Sequence, residues 1–306
     1  MPLQSVDKIW MDGELVAWDD AKVHVLTHGL HYGSGVFEGI RAYETDRGPA
    51  VFRLPEHIDR LLRSAQIYLI DVPYSRDELV AATVETVRAN NVPSCYIRPI
   101  VFLGYGEMGL NPLPCPTNVS IAVWPWGTYL GDDGVRHGVR TKVSSWQRPD
   151  PNSLPPAAKA TGMYLNSQLA KVEALKAGYD EAIILSPQGY VSECTGENLF
   201  VVRDGMIITP PVSAGALEGI TQSSVRTMAA DLGIEYREGN LLRSDLYTAD
   251  EAFLSGTAAE VVPIRSVDDR EIGEPGPITR RIQETYFATV RGQVDRYKDW
   301  LTYVNE

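Results

Sequence analysis

One lysine, Lys159, stands in a setting that is unusual for a side chain normally surrounded by polar residues. It lies in the stretch LPPAAKATG (residues 154–162), between small apolar residues, with a double proline before it and a glycine after it. Desolvation disfavours the ammonium form and makes an amine a better nucleophile. The stretch therefore fits either a lysine that does covalent chemistry or a lysine that is a spacer on a loop.

Two glycine-rich turns in the same half of the chain have the composition of anion-binding sites. They cover residues 214–221 and 255–260, and both are predicted to lead into the N-terminus of a helix. Free amides, small side chains and a hydroxyl at a helix start suit a phosphate, although ordinary helix caps share this composition. Two such turns together with an amine nucleophile indicate a phosphorylated aldehyde cofactor, pyridoxal phosphate, held as a Schiff base on Lys159.

The cofactor makes a further demand that Glu193 can meet. Its ring nitrogen works best when protonated, and a protonated ring nitrogen needs a carboxylate partner. Glu193 lies between small polar residues, just before a strand that is predicted to be buried. The alternative for Glu193 is an exposed glutamate in a turn.

The elements that must position these residues are a mixture of strands and helices. Strands are predicted at 8–16 (a hairpin around Asp12-Gly13), 40–43, 50–54, 96–103, 118–126, 140–145, 181–185, 198–202 and 206–209. Helices are predicted after Pro55, at 75–90 with a Ser75–Glu78 capping box, and at 163–177, 222–232 and 278–297.

The best domain boundary is the turn-rich stretch at 127–134. We therefore predict a small N-terminal α/β domain at 1–126, an interdomain loop at 127–138, and a large C-terminal cofactor-binding domain at 139–306.

Two motifs have a suggestive spacing but little support from their context. His24, His28 and His31 are spaced like one helix face, yet the glycines among them disfavour a helix and no carboxylate or cysteine is in register. We therefore predict no metal site. The GYGEMG motif at 104–109 has the formal spacing of a dinucleotide fingerprint, but the following NPLPCP run excludes the helix that this site needs. A tight loop is predicted there instead.

Composition excludes several classes of function. The chain has 28 Lys and Arg residues against 40 Asp and Glu residues, a net charge of −12, which argues against binding nucleic acid or anionic membranes. No apolar run is long enough to span a bilayer, and the start, MPLQ, lacks the features of a targeting segment. The three cysteines have no C-x-x-C spacing, which predicts reduced thiols in a cytoplasmic protein.

Seven short motifs run in a fixed order along nearly the whole chain. They are HYG to FEGIR at 31–41, YIRP at 96–99, MGLNP at 108–112, Lys159 with YLN at 164–166, Glu193 with GEN at 196–198, GIT at 219–221 and SGTA at 255–258. In these motifs the chain resembles the branched-chain amino acid aminotransferases, in the D-amino-acid-transaminase-like group of pyridoxal phosphate enzymes. The resemblance implies fold type IV, an α/β (α+β) architecture of two α/β domains with the cofactor in the cleft between them.

The resemblance also implies a role for each residue that matches the family's cofactor site. Lys159 would bind the cofactor and move a proton between the substrate Cα and the cofactor C4′. Glu193 would pair with the pyridine nitrogen, and Tyr164 would bond the phenolic oxygen. The phosphate would be held by Arg60, Ile220, Thr221 and Thr257, the latter three partly through backbone amides, and the cofactor-binding set also includes Leu217 and Gly219.

Substrate contacts follow from the same resemblance. The α-carboxylate would meet the Tyr96 hydroxyl and the amides of Thr257 and Ala258, and Arg98 would bind the distal carboxylate of glutamate. Leu110 would come from the loop of a second subunit. The implied side-chain pocket consists of Tyr32, Phe37, Gly39, Trp126, Tyr129 and Tyr164. Aromatic walls suit leucine, isoleucine or valine, whereas Arg98 suits glutamate.

The expected activity is the transfer of an amino group from a branched-chain L-amino acid to 2-oxoglutarate, giving L-glutamate, by a homodimer or a hexamer. Alternatives on the same fold are a D-amino acid transaminase, an (R)-amine transaminase and aminodeoxychorismate lyase. The Tyr96-x-Arg98 pair and the MGLNP loop favour the L-branched-chain pattern. An inactive binding protein is the alternative of another class, but Lys159 and Glu193 are both present.

Overall fold

The computed structural model describes residues 3–306, which form two compact units. The first unit contains the chain up to Trp126 together with Ala158–Met163 and Thr289–Glu306, and the second contains Gly127–Ala157 and Tyr164–Ala288. The predicted ranges 1–126, 127–138 and 139–306 stay a prediction, to which the structure adds that two later stretches belong to the first unit. Met1 and Pro2, within the start that we expect to lack a targeting segment, lie outside the described residues.

Both units combine strands and helices. The strands are β1 Lys8–Met11, β2 Glu14–Ala17, β3 Gly35–Phe37, β4 Ile40–Thr45, β5 Gly48–Phe52, β6 Cys95–Leu103, β7 Thr117–Trp124, β8 Val139–Gln147, β9 Glu181–Leu185, β10 Val191–Cys194, β11 Asn198–Arg203, β12 Met206–Thr209, β13 Tyr236–Glu238, β14 Glu251–Gly256, β15 Glu260–Val267, β16 Arg270–Glu271 and β17 Leu301–Tyr303. The helices are α1 His28–Tyr32, α2 Leu54–Ile67, α3 Arg76–Asn90, α4 Gly131–His137, α5 Tyr164–Lys176, α6 Ile220–Asp231, α7 Arg243–Leu246 and α8 Pro277–Val290.

Each unit is built on one sheet. In the first unit the strand order is β17-β5-β4-β6-β7-β1-β2, β3 also pairs with β6, and the strand pairs are antiparallel. In the second unit the order is β10-β9-β8-β15-β14-β11-β12-β13, and the sheet is mixed because β8 runs parallel to β9 and β15. Helix α3 packs against β1 and β7, and α5 packs against β8 and β9.

Local sequence signals explain several of these elements. The capping box at the start of α3 is confirmed: the Glu78 amide donates to Ser75 Oγ at 3.3 Å, and the Ser75 amide donates to Glu78 Oε2 at 2.7 Å. Pro55 lies in the first turn of α2, as predicted, where its missing N–H costs nothing. The hairpin around Asp12-Gly13 is also confirmed by the β1–β2 pairing.

Two predicted elements are wrong. The stretch at 255–260 is not a helix start but the turn of the β14–β15 hairpin, where Ser255 pairs with Val261. The last helix ends at Val290 rather than 297, since Gly292 follows with φ +75° and the chain then returns as β17.

The stretch at 127–138 stays a predicted interdomain segment. It contains helix α4, which has acidic residues in its first turn and basic residues in its last. Among the helices in residues 3–306, none is long and apolar enough to cross a membrane.

Candidate active site

Lys159 lies in a short extended segment that is attached to strand β3 in the first unit. The Phe37 amide donates to the Lys159 carbonyl at 3.0 Å, and Val36 forms an antiparallel bridge with Ala160. The Lys159 amide donates to Ser64 Oγ on α2 at 3.1 Å. The backbone of Lys159 is therefore fixed on both sides, by a strand and by a helix.

The side chain of Lys159 is half-buried, and its immediate neighbours Ala158 and Ala160 are buried. Its Nζ lies 5.1 Å from the centroid of the Phe37 ring. This is the confined, apolar setting that the sequence indicates for this amine, and it can present the Nζ to a ligand beside an aromatic wall.

A close backbone contact holds the turn that follows Lys159. Gly33 has φ +64°, and a Cβ added to it would lie 2.9 Å from the Cα of Gly162. The Thr161 hydroxyl donates to the Gly33 carbonyl at 2.7 Å. Position 33 therefore needs a glycine, both for its positive φ and for the close approach of the two segments.

One face of β6 presents Tyr96 and Arg98, as predicted from their spacing. The Arg98 guanidinium lies 4.7 Å from the Phe37 ring centroid and 5.9 Å from that of Trp124, and the Tyr96 ring meets Trp126 edge-on at 4.5 Å. Among the described residues, the buried Nε of Arg98 has no hydrogen-bond partner. The cage thus combines aromatic walls with a cation that has an unused donor.

Gly39 makes room for the Tyr96 hydroxyl. A Cβ at Gly39 would lie 2.0 Å from Tyr96 Oη, so any larger residue would displace the phenol. Gly39 therefore contributes to the predicted pocket because it has no side chain and leaves room for the Tyr96 hydroxyl.

A buried charged cluster ties α2 to the residue that precedes Gly39. Arg60 donates from Nε to Glu38 Oε1 at 2.6 Å and from Nη2 to Oε2 at 2.9 Å, and His57 Nδ1 donates to Oε2 at 2.7 Å. Burial alone would raise the pKa of Glu38, but the Arg60 charge and the His57 hydrogen bond hold it well below its usual range. Burial lowers the pKa of His57, whose ring is therefore neutral near pH 7.

In the second unit, Glu193 is a buried carboxylate on β10 and not an exposed turn residue. Its Oε1 accepts a hydrogen bond from Arg148 Nη2, and its Oε2 accepts one from the Leu217 amide at 3.1 Å. Arg148 also donates to Ser167 Oγ at 3.3 Å at the start of α5. The carboxylate is thus held in one orientation by partners on two sides.

The loop before α6 has the features predicted for a phosphate site. Helix α6 begins at Ile220, and the first amides of a helix have no intrahelical acceptor. Asn198 Nδ2 donates to the Leu217 carbonyl at 2.8 Å, and a Cβ on Gly219 would lie 1.9 Å from Asn198 Oδ1. Asn198 and the glycine together hold the backbone close to β11, next to the helix start.

The β14–β15 turn places Thr257 and Ala258 half-buried, after the fully buried Ser255. Among residues 3–306, Ser255 Oγ has no hydrogen-bond partner. A Cβ on Gly256 would lie 3.2 Å from the Gly196 carbonyl, so the turn is packed against the β10–β11 connection. A buried hydroxyl with unused capacity beside half-buried backbone amides suits an anionic ligand.

Glu197, in the β10–β11 connection, is a buried carboxyl whose pKa is raised to about 8 by burial and by the nearby charge of Glu181. Glu181 is itself paired with Lys171 at 2.6 Å. Lys171 Nζ also lies 5.3 Å from the ring centroid of Tyr129, a predicted pocket residue.

Tyr164, the predicted partner of the phenolic oxygen of the cofactor, is half-buried at the first position of α5.

Leu110 and Tyr32 lie on exposed parts of the first unit. Leu110 is 89% exposed on the loop at 104–116, and Tyr32 ends α1. The GYGEMG motif begins this loop, which contains no helix, as predicted from the prolines.

The histidines near this loop form hydrogen bonds with protein groups: His28 with Ser34 and Gly109, and His31 with Val25. In the part of the chain that the structure describes, no group of three or more His, Cys, Asp or Glu residues could hold a metal ion.

The structure thus brings most predicted residues of the first unit together around β3, β6 and α2, and Glu193 with the phosphate loop and the β14–β15 turn in the second. Tyr32 and Leu110 lie on exposed parts of the first unit, and Tyr129 and Tyr164 lie elsewhere in the second.

Sequence reasoning missed the structural roles of Glu38, His57 and Arg148. A signal for one of them exists, since His57, Arg60 and Ser64 have the i, i+3, i+7 spacing of one helix face. Nothing in the sequence near residue 148 pairs it with Glu193.

The comparisons with known proteins first define a class. Residues 35–267 match the family model described as amino-transferase class IV. The chain is 51% identical over 308 residues to a branched-chain-amino-acid aminotransferase of Salmonella typhimurium, with all of both chains covered.

Solved structures agree with this class. The branched-chain amino acid aminotransferase of Escherichia coli has 50% identity and a TM-score of 0.96, and the match covers 98% of this chain and all of that one. The branched-chain aminotransferase of Thermoproteus uzoniensis, solved with norvaline, has 49% identity and a TM-score of 0.94, with 98% of this chain and all of that one covered. The enzyme of Thermobaculum terrenum, solved in its PLP form, has 37% identity and a TM-score of 0.92, with 98% of both chains covered. The chain belongs to the branched-chain-amino-acid aminotransferase family, and the predicted fold type IV architecture is confirmed.

Proposed function

We propose that this protein transfers the amino group of L-leucine, L-isoleucine or L-valine to 2-oxoglutarate, using pyridoxal phosphate. The observation that carries the proposal is the cage on β6, where the Arg98 guanidinium lies within 6 Å of the ring centroids of Phe37, Tyr96 and Trp124. Apolar walls favour a branched side chain, whereas a half-buried cation whose buried Nε has no hydrogen-bond partner among the described residues favours a carboxylate. An aminotransferase needs both preferences because it must accept two kinds of substrate in turn.

The residues present fit pyridoxal phosphate on independent grounds. The first unit offers a half-buried amine at Lys159, and the second offers a buried, oriented carboxylate at Glu193. The N-terminus of α6 and the orphaned hydroxyl of Ser255 supply donors suited to a phosphate. These are the three chemical functions that the cofactor requires of its protein: a nucleophile, a partner for the ring nitrogen and an anion site.

The bound cofactor would supply an electron sink for the carbanion that forms at the substrate Cα. Lys159 would hold the cofactor through its Nζ, and the same amine would serve as the base that moves the proton of the substrate Cα. Glu193, which Arg148 and the Leu217 amide hold in one orientation, would pair with the ring nitrogen. Tyr164 would bond the phenolic oxygen.

The phosphate would be held by the amides of Ile220, Thr221 and Thr257 and by the side chain of Arg60, with Leu217 and Gly219 shaping the loop. In the structure, Arg60 uses Nε and Nη2 on Glu38, so the proposal requires the cluster to orient the guanidinium for a phosphate as well. Glu38 would then hold the Arg60 guanidinium in one orientation toward the phosphate.

The substrate α-carboxylate would meet Tyr96 and the amides of Thr257 and Ala258. Arg98 would bind the distal carboxylate of 2-oxoglutarate or glutamate. The walls of the side-chain pocket would come from Tyr32, Phe37, Gly39, Trp126, Tyr129 and Tyr164.

The active form is proposed to be a homodimer, with a hexamer as the larger alternative. The first unit exposes an apolar surface formed by Val23, Val25, Leu26, Leu30, Tyr32, Tyr105, Met108, Leu110 and Leu113. Exposed apolar surface of this extent is typical of interfaces. We propose that a second copy covers this surface and that Leu110 enters the substrate pocket of that copy.

We also propose a cytoplasmic location, which the three free cysteines support.

The test is turnover of L-leucine with 2-oxoglutarate by the wild type, Lys159→Ala and the matched control Lys176→Ala, whose lysine is exposed at the end of α5. We expect the control to match the wild type and Lys159→Ala to be inactive, because no other amine replaces the Nζ in Cα proton transfer. Full activity in Lys159→Ala would refute the mechanism. Turnover of D-alanine or (R)-1-phenylethylamine in preference to L-leucine would replace the substrate assignment with that of the D-amino acid or (R)-amine transaminases.

A further inference from the structure

The loop at 104–116 of the first unit is closed at its base but exposed at its tip. The Gly104 amide donates to the Pro116 carbonyl at 2.7 Å, and Cys115 Sγ contacts the Glu107 carbonyl at 3.6 Å. Leu110, near the tip, has 89% of its surface exposed. A loop of this kind needs a contact beyond its base if its tip is to hold one position.

That contact is made by His28, the first residue of α1. Its backbone amide donates to the Gly104 carbonyl at 3.1 Å, and its ring Nε2 bonds the Gly109 carbonyl at 2.8 Å. The ring is buried, with 3% exposure. Gly109 immediately precedes Leu110 and has φ +141°, a conformation that residues with a side chain rarely adopt. The His28 ring is therefore hydrogen-bonded to Gly109, a loop residue whose backbone conformation favours glycine.

The direction of the hydrogen bonds follows from the acceptor. A carbonyl can only accept, so Nε2 carries the hydrogen, and in the neutral ring Nδ1 accepts from the Ser34 hydroxyl at 2.6 Å. The Gly109 carbonyl thus fixes the tautomer, and Ser34 holds the ring in the orientation that presents its N–H to Gly109. This is the arrangement by which a second partner orients a histidine toward its first.

The same ring also contacts the pocket residue at the other end of α1. The centroid of His28 lies 4.6 Å from that of Tyr32, with the rings tilted by 37°. The buried His28 side chain therefore contacts both the loop that carries Leu110 and the ring of Tyr32.

We propose that His28 is a positioning residue for catalysis in the neighbouring subunit. It holds the 104–116 loop so that Leu110 completes the substrate pocket of a second copy of the chain. This inference rests on the proposed function, specifically on the dimer and on Leu110 acting across it. His28 itself touches neither substrate nor cofactor, and its effect is on substrate affinity rather than on the chemical step.

Three variants separate the Gly109 hydrogen bond from packing. His28→Phe keeps an aromatic ring against Tyr32 but removes both hydrogen bonds, His28→Gln keeps a donor at the position of Nε2, and Ser34→Ala removes only the orienting hydroxyl. The matched control is His31→Phe, which removes an exposed histidine on the same helix that bonds the Val25 carbonyl at 2.9 Å.

We expect His28→Phe to raise KM for L-leucine about tenfold, the equivalent of one buried hydrogen bond, with kcat within about threefold of the wild type. Ser34→Ala should raise KM less, His28→Gln should restore most of the affinity, and His31→Phe should match the wild type. An unchanged KM in both His28→Phe and Ser34→Ala would overturn the inference. So would a loss confined to kcat.

Mixed dimers test whether the effect crosses the interface. A chain with His28→Phe and a chain with Lys159→Ala are produced together with different tags, and the doubly tagged dimers are purified. Only the site that uses Lys159 of the His28→Phe chain can react, and it receives an intact loop from the other chain. We expect its KM to return to the wild-type value.

A KM that stays raised in the mixed dimer would show that His28 acts on its own subunit, and the inference would be wrong. Failure of the proposed function looks different: the wild type would be monomeric, or Lys159→Ala would be active. Both are checked before the mixed dimers are interpreted.

Discussion

At the scale of single residues, Arg98 has the property that decides the substrate assignment. It is a cation inside an aromatic cage, and its Nε lacks a partner among the described residues. Such a group is costly to bury unless a ligand uses it, and a carboxylate matches the planar guanidinium best.

We predict that Arg98→Met, which keeps most of the packing, weakens 2-oxoglutarate use more than L-leucine use. The expected loss in kcat/KM for 2-oxoglutarate is about 10²-fold, as for one charge-assisted pair, against less than about tenfold for L-leucine. Separate half-reaction kinetics with each substrate would measure this. Equal losses for both would remove the distal-carboxylate role from Arg98.

The residue types could be predicted well where chemistry constrains them locally. Lys159, with its apolar neighbours, and Glu193, before a buried strand, were both recognisable from adjacent residues. The partner of Glu193 was not, because Arg148 reaches it from the residue after β8 and the pairing depends on the β8–β9–β10 arrangement. Contacts between residues that are distant in sequence cannot be predicted from the residues next to either one.

At the scale of elements, α2 is attached to the site by a buried ion pair rather than by apolar contacts alone. Glu38 is fully buried and accepts from Arg60 and His57 on one face of the helix. Ser64, one turn further on, accepts from the Lys159 amide. The position of Lys159 therefore depends on how firmly this helix is held.

We predict that Glu38→Gln lowers the free energy of unfolding by about 3–5 kcal/mol, since it leaves the Arg60 charge buried without its carboxylate. The matched control is Glu56→Gln, which breaks the more exposed Arg53–Glu56 pair of the same helix and should cost less than about 1 kcal/mol. Denaturant unfolding monitored by circular dichroism measures both. Similar small losses in the two variants would show that the buried pair contributes little.

The pH dependence gives a second check on the same pair. Because the folded pKa of Glu38 is depressed, its contribution to stability is present above the unfolded value of 4.5 and declines as the pH falls below it. The gap between the wild type and Glu38→Gln should therefore narrow below about pH 4.5.

Elements with a strong local signal were predictable, and those decided by tertiary pairing were not. The capping box located α3, and Pro55 located the start of α2. By contrast, SGTA at 255–258 has the composition of a helix cap, yet Ser255 and Gly256 pair with Val261 and Glu260 in a hairpin. The sheet beside it supplies backbone partners that outweigh the local preference.

At the scale of the whole molecule, the two units are not contiguous in sequence. The stretch that carries Lys159 and the last residues of the chain both return to the first unit, where β17 pairs with β5. Local sequence composition predicts one boundary near residue 127, but it does not show that later segments belong to the first unit. This return explains why Lys159, well beyond Trp126 in sequence, is held by β3 and α2.

The apolar surface of the first unit makes the dimer testable. Two segments, 23–32 and 105–113, contribute it, and they meet where the tilted rings of His24 and Tyr105 have centroids 4.3 Å apart. We predict that Leu30→Glu, in α1, shifts the protein toward monomers, because a carboxylate would have to be desolvated in the interface. The matched control is Leu69→Glu, which alters an equally prominent exposed leucine of the same unit outside these two segments.

Sedimentation velocity over a range of protein concentrations would measure the shift. If Leu110 completes the site of a second copy, activity per chain should fall with the same concentration dependence as the dimer population. Dimers of undiminished stability in Leu30→Glu would place the interface elsewhere. Monomers that keep full activity would instead show that each chain carries a complete site, and the role of Leu110 across the interface would be lost.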